Sequence, residues 1–260
     1  MEKKSAIVTG AYGAIGGVIA AEMAKQGYRL TLVGRDRKKL EKMAETLSKQ
    51  TGNKDVFYRA VDLSAKNEVE RFAQSWEGPL HVLINNAATT PRSRETTSRG
   101  IEQQFATNVL GYFWMMQYFY PFMEKVDDAR IVNVASYWAG DLDLNDLEFE
   151  SRPYDNDTAY RQSKQANRML TAAFAKRLSD SGIAVLAAHP GDVRSKLSNN
   201  LGHGGWESPE QGAANPLFCA LDSSLKGISG KYYEHKRETP CRFAKDSDAV
   251  EKLYEVCLKY

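Results

Sequence analysis

Short, uninterrupted apolar runs recur along this chain, separated by longer stretches of mixed polarity, and each run has the length of a buried strand. Ala6 to Val8, Leu30 to Val33 and Val82 to Ile84 are three such runs, and RIVNVASYWAG contains another that ends at Ser136. Between the first two, closely spaced glycines lead into an amphipathic stretch with helical periodicity. Strand, glycine turn, helix and strand in that order make a βαβ unit. Apolar strands alternating with helices predict an α/β fold, with a parallel sheet covered by helices on both faces.

The glycines give that unit a chemistry. Gly10 permits a tight turn, Gly13 lets backbone approach a pyrophosphate, and Gly16 lets the helix pack closely on the strand. Tyr12, Ala14 and Ile15 share this turn, where the free amides at the helix start face the phosphates. A glycine turn can also serve packing alone; the strand before it and the helix after it favour the binding reading. The fold expected is therefore a Rossmann-type doubly wound sheet of about seven strands. It forms a single NAD(P)-binding domain over residues 1–260, without linker, low-complexity stretch or internal repeat.

A second constellation lies in AYRQSKQAN, where Tyr160 and Lys164 are four apart and share a helix face. A free phenol titrates near about 10, so a nearby ammonium is expected to favour the phenolate and make a proton-transfer tyrosine. Ser136 places a hydroxyl at the carboxyl end of a parallel strand, where open α/β sheets bind ligands. In HVLINNAATTP, small residues after the strand leave room for an adenine ring, and the amides of Asn85 and Asn86 can tie neighbouring strands together.

With the Thr9–Gly16 turn, Asn85 to Ala87, Asn108, Ser136 and the Tyr160/Lys164 pair in order, the chain resembles the short-chain dehydrogenase/reductase family over essentially its whole length. The segments LDLNDLEFESRPYDNDTAYRQSKQANRML, AAHPGDVRSKL and SPEQGAANPLFCAL resemble the single-domain branch of retinol dehydrogenases and carbonyl reductases. The resemblance implies a catalytic group of Asn108, Ser136, Tyr160 and Lys164. In it, Tyr160 is the acid or base, Lys164 lowers its pKa and grips the nicotinamide ribose, Ser136 orients the carbonyl, and Asn108 supports a proton-relay water. It also implies cofactor contacts at Asp62, Leu63, Asn86 and Ala87, and around the nicotinamide at Pro190, Gly191, Val193 and Ser195. Two departures stand out: position 14 is Ala, with the glycine at Gly13 as in the extended, epimerase-containing branch, and NNAG reads NNAA with Ala88.

Cofactor choice should lie after the second strand, in Gly34, Arg35, Asp36 and Arg37. Relatives that select NAD carry an acid where this chain has Gly34, so Arg35 favours NADP(H); the competing reading is that Asp36 turns in and selects NAD(H). Ser136 lies 24 positions before Tyr160, which implies an insertion over about 137–158 forming part of the substrate wall. Tyr137, Trp138 and Tyr154, with His203 and Trp206 of a glycine-rich mobile lid over about 193–208, are the expected substrate residues for an apolar or aromatic alcohol or carbonyl compound.

Composition narrows the partners. Thirty-five Lys and Arg against 33 Asp and Glu leave a net charge of +2 and no basic footprint for nucleic acid. Cys219, Cys241 and Cys257 are expected as reduced thiols, and the four histidines form no metal set. The first strand follows Lys3 and Lys4 almost at once, so no leader is expected and the cytoplasm is the expected location. The charge-free run Gln103–Met123 holds Asn108, Gln117 and Pro121, and reads as a packed helix rather than a membrane span. Its Tyr112, Trp114, Met115, Tyr118 and Phe119 match the helix through which the family dimerises, giving an expected homodimer or homotetramer. The rival to the enzyme reading is a cofactor-binding sensor or scaffold; a further alternative keeps the enzyme but assigns epimerase-like chemistry on a nucleotide sugar, suggested by the glycine spacing.

Overall fold

The computed structural model describes residues 3–260. Eight strands form one sheet in the order β3-β2-β1-β4-β5-β6-β7-β8. They are β1 (Ser5–Thr9), β2 (Arg29–Gly34), β3 (Val56–Ala60), β4 (Val82–Asn85), β5 (Arg130–Val134), β6 (Ala184–Ala188), β7 (Lys231–Glu234) and β8 (Arg237–Thr239). Strands β1 to β7 pair in parallel, and β8 returns antiparallel on β7. The expected seven strands thus become eight. The extra hairpin turns on His235 and Lys236, both with positive φ (49° and 63°), a turn usually marked by Gly or Asn. Here the Lys236 amide donates to Asn215 Oδ1 instead, at 2.8 Å.

The order of successive strands reverses between β1 and β4, so their carboxyl ends open a crevice there. The helices are α1 (Ala14–Lys25), α2 (Arg37–Thr51), α3 (Lys66–Gln74), α4 (Gly111–Phe119), α5 (Asn156–Arg177), α6 (Lys196–Asn200), α7 (Pro209–Leu221) and α8 (Ser247–Lys259). Two apolar cores flank the sheet. Ile19, Met23, Leu30, Leu40 and Leu186 are among those on one side; Phe105, Phe113, Trp114, Leu170 and Phe174 are among those on the other.

The Gln103–Met123 run becomes a π-helical turn (Phe105–Leu110), α4 and a short 3₁₀ turn, and no described helix is long and apolar enough to cross a membrane. Its aromatic face is not free for a partner. Tyr112, Trp114, Met115 and Phe119 are at most 1% exposed within the single chain. Phe119 packs on Phe72 and Trp76 around α3, while Phe113 packs on Phe174 of α5 and Tyr254 of α8. Of the five positions the sequence offered to a second subunit, Tyr112, Trp114, Met115 and Phe119 are thus buried within the single chain, and Tyr118 alone stays partly exposed.

Candidate active site

One elongated cavity of about 780 Å³ runs along the carboxyl ends of the strands, from Gly10, Arg35 and Asp62 to Tyr160, His203 and Trp206. Its nucleotide end is built by close approach. Gly10 has φ +64°, and a Cβ there would lie 2.8 Å from Ala87 Cα; one on Gly16 would lie 2.3 Å from Gly10 O. Gly13 is the N-cap of α1 and supplies no side-chain cap, so the first amides of that helix are left for an anion. Asn86 holds the turn from β4: its Nδ2 donates to Thr9 O at 2.9 Å, and its amide donates to Thr9 Oγ1 at 2.8 Å. Asn85 donates to Asn133 Oδ1 across β4 and β5, as its strand-tying reading anticipates. Tyr12, Ala14, Ile15, Asp62, Leu63 and Ala87 also line this end.

After β2, Arg35 lines the cavity, and so does Lys39 of α2, which no sequence signal singled out. Asp36 is the N-cap of α2 and accepts from the Lys39 amide at 3.1 Å, which accounts for a carboxyl below its usual range. Its carboxylate is thus engaged by the helix end. The Tyr12 ring occupies the place where a Gly34 side chain would stand, 2.6 Å from an ideal Cβ, and Tyr12 Oη accepts from the Asp36 amide.

The reacting end gathers on α5 and β5. Lys164 and Tyr160 lie one turn apart, with the Lys164 Nζ 5.6 Å from the Tyr160 ring centre and donating to Val134 O at 2.9 Å. Ser136 stands near enough to the Tyr160 phenol to lower its pKa, and accepts from the Trp138 amide at 3.0 Å. Burial dominates the titration of both residues. It pushes the Tyr160 phenol up to about 12, against the lowering effect of Ser136 and with Asp192 and Asp157 adding to the rise. It pushes the Lys164 ammonium down to about 7. Burial thus moves the phenol opposite to the direction expected of Lys164, whose charge is not among the influences acting on it.

Asn108 sits one wall behind, fully buried in the π-helical turn. Its Oδ1 accepts from the Thr89 amide at 2.8 Å, and its Nδ2 faces Thr89 O, Gln104 Oε1 and Ser163 Oγ. Ser163 in turn donates to Tyr160 O at 2.7 Å. A π-turn places Asn108 against these groups out of step with an ordinary helix.

Pro190, Gly191, Val193 and Ser195 line the cavity beside this group. Gly191 (φ +94°) leaves room for the carboxylate of Glu207, which accepts from the Asp192 amide at 2.5 Å; no sequence signal pointed to Glu207. Val193 and Glu207 form a parallel bridge that ties the two ends of the expected lid, and Ser195 caps α6 within it. Tyr137, Trp138, His203 and Trp206 form an aromatic rim to the cavity. Trp138 Nε1 donates to Asp157 Oδ1 at 2.9 Å, and His203 stacks edge-on against Trp138. His189 is neutral at ordinary pH, burial holding its pKa near 3, and its Nδ1 accepts from the Tyr137 amide.

Tyr154 is placed elsewhere. Its hydroxyl accepts from Gln104 Nε2 and donates to Pro91 O, and its ring packs on Phe149, so it does not line the cavity. The insertion beyond Trp138 buries Leu147 and Phe149 rather than facing substrate.

A family model for short chain dehydrogenases matches residues 4–205. The chain is a short-chain dehydrogenase/reductase. Within this family it resembles retinol dehydrogenase 13 of Homo sapiens, at 33% identity over 96% of this chain and 82% of that protein. A probable oxidoreductase of Streptomyces antibioticus is 30% identical over 97% of this chain and 95% of its own length. Among solved structures, an uncharacterised protein from Mycobacterium paratuberculosis superposes with a TM-score of 0.80 at 30% identity, covering 98% of this chain and 93% of that one. Pseudomonas aeruginosa RhlG in an active-site complex with NADP shares the fold, with a TM-score of 0.69 at 23% identity, over 88% of this chain and 93% of that one. As an oxidoreductase of this family the chain uses a nicotinamide nucleotide, and the close glycine approaches, uncapped α1 amides and elongated cavity fit one.

Proposed function

We propose that this oxidoreductase transfers a hydride between NADP(H) and an apolar or aromatic alcohol or carbonyl compound, with Tyr160 as the acid or base. The observation that carries the reading is the buried Tyr160 phenol beside Ser136, with Lys164 one turn away, at the end of the cavity nearest the aromatic rim. The nicotinamide nucleotide supplies the hydride chemistry when bound. Gly10, Gly13, Asn86 and Ala87 would hold its phosphates and adenosine, and Lys164 and the Pro190–Val193 turn its nicotinamide end.

For reduction the phenol must give a proton to the developing alkoxide. A group held near pKa 12 keeps that proton throughout the neutral range, and the Ser136 hydroxyl orients the carbonyl beside it. Tyr137, Trp138, His203 and Trp206 line the reacting end and offer flat apolar faces. Support for NADP(H) comes from Arg35 and Lys39 on the cavity wall, with Asp36 turned to the helix cap. The proposal includes a cytoplasmic location, in keeping with Cys219 and Cys257 standing as buried free thiols.

The test measures NADPH and NADH binding by fluorescence and turnover over a panel of aromatic aldehydes and ketones. Arg35→Ala should weaken NADPH binding by about tenfold or more, the weight of one charge-assisted contact, and leave NADH unchanged. Equal loss for both cofactors would refute the NADP assignment. Tight NADPH binding with no turnover across the panel would refute the substrate class.

A further inference from the structure

Gln104, fully buried one turn before Asn108, has no place in the chemistry described so far. Its Oε1 accepts from Asn108 Nδ2 at 3.4 Å, while its Nε2 faces Tyr154 Oη at 2.9 Å and Asn156 Oδ1 at 3.1 Å. Each neighbour leads onward to the same place. Asn156, the first residue of α5, donates from Nδ2 to Asn200 O at the end of the lid helix α6, at 3.1 Å. Asn200 donates to Thr90 O at 3.3 Å, and Thr90 Oγ1 reaches Leu197 O at 3.5 Å, so the lid also rests on the loop after β4. That loop is held at Thr89 by Asn108 and at Pro91 by Tyr154. The hydrogen bonds therefore close a ring: Asn108, the Thr89–Thr90 loop, Asn200 on the lid, Asn156, Gln104 and back to Asn108.

We propose that Gln104 is a positioning residue that joins the seat of the 193–208 lid to the catalytic asparagine, so that lid seating and the orientation of Asn108 are set together. The inference rests on the reading of Asn108 as part of the reacting group. The geometry assigns each member a separable duty. Asn108 fixes the Thr89 side of the seat, and Asn156 fixes the lid itself. Gln104 is the buried side chain that touches both Asn108 and Asn156. A buried amide that loses one partner leaves another polar group unpaired, which is why loosening one arm should be felt in the other.

The test is hydrogen–deuterium exchange on the full chain, which needs no substrate. Gln104→Met keeps the side-chain volume but neither donates nor accepts. It should speed exchange severalfold in two peptides at once, one covering Thr89 to Pro91 and one covering the lid, and leave the β1–α1 peptide unchanged. Asn156→Ala, at a half-exposed helix start that tolerates alanine, should loosen the lid and, through Gln104, the Thr89 peptide. In the double variant the two effects should be non-additive, as coupled neighbours are. Additive effects, or Asn156→Ala loosening the lid with Thr89 unmoved, would overturn the proposal. If Gln104→Met fails to fold, Asn108→Ala replaces it: the proposal then requires faster exchange in the lid, which Asn108 does not touch. In the enzyme, Asn156→Ala should lower kcat while NADPH affinity holds; loss of NADPH affinity instead would mark a merely structural role. Since exchange is read without turnover, a failed carbonyl assay would sink the functional reading and leave this ring standing or falling by itself.

Discussion

Replacing Lys164 by methionine should make the protein more stable at neutral pH while removing its activity. The ammonium lies 2% exposed beneath the cavity, and burial moves its pKa from 10.5 to about 7. At about 1.36 kcal/mol per pH unit, that displacement puts the cost of the buried charge at about 5 kcal/mol. The bond to Val134 O offsets about 1.5–3 kcal/mol of it, as hydrogen bonds from charged groups do. Val134 O keeps a second donor in the Tyr112 hydroxyl at 3.4 Å, so methionine leaves no bare acceptor. A net gain of about 2–3 kcal/mol is expected from these two terms. The sign fixes its pH dependence. Between about pH 7 and 10.5 the unfolded chain binds the proton that the folded chain releases, so wild-type stability rises with pH across that window, and below it the full penalty remains. The advantage of Lys164→Met should therefore be greatest at about pH 6.5 and nearly gone by about pH 9.5. Urea unfolding without cofactor, followed by tryptophan fluorescence, reads both quantities, and an unchanged slope confirms that only stability moved. A variant less stable than wild type at the lower pH, or a gain independent of pH, would refute the reasoning.

Three further outcomes follow from the same geometry. Gly34→Asp should weaken NADPH binding without conferring NADH use, because the Tyr12 ring stands in the way; adding Tyr12→Ala should restore room and raise NADH affinity, measured by fluorescence titration. If the acid alone switches the preference, the steric argument fails. Alcohol oxidation needs the phenolate, so its kcat/KM should climb toward tenfold per pH unit up to about pH 9, while carbonyl reduction stays nearly flat; an oxidation plateau below about pH 8 would place the phenol far lower than burial does. Tyr118→Arg, on the remaining partly exposed aromatic of α4, should leave the mass seen by light scattering unchanged, and a shift to smaller assemblies would show that α4 does carry an interface.

The parts of the site legible in the sequence are those set by local backbone. Gly10, Gly13 and Gly16 mark a turn because close approach excludes a Cβ, and Tyr160 with Lys164 marks a helix face because four residues make one turn. Strand ends at Ser136 and Pro190 follow from apolar runs whose carboxyl ends meet at one edge. What stayed hidden depends on distant contacts. Tyr154 reads as a wall aromatic until its hydroxyl is seen bonded to Pro91 and approached by Gln104. The α4 aromatics read as one outward face until Tyr112, Trp114 and Phe119 are seen buried within the chain, with Phe119 packed on Phe72. Glu207 fills the space beside Gly191 from 16 residues away, and His235 and Lys236 turn a hairpin without glycine. Desolvation is equally unreadable from spacing: the Tyr160–Lys164 interval gives proximity, and only burial shows that both groups are driven toward their neutral forms.

The most direct test of the account compares wild type with Tyr160→Phe in NADPH-dependent reduction of an aromatic aldehyde, after fluorescence shows that both proteins bind NADPH. NADPH affinity should be equal in the two, and kcat should fall by about 10²-fold or more in the variant, the scale of a removed general acid. Undiminished turnover in Tyr160→Phe would contradict it and place the proton donor elsewhere in the cavity.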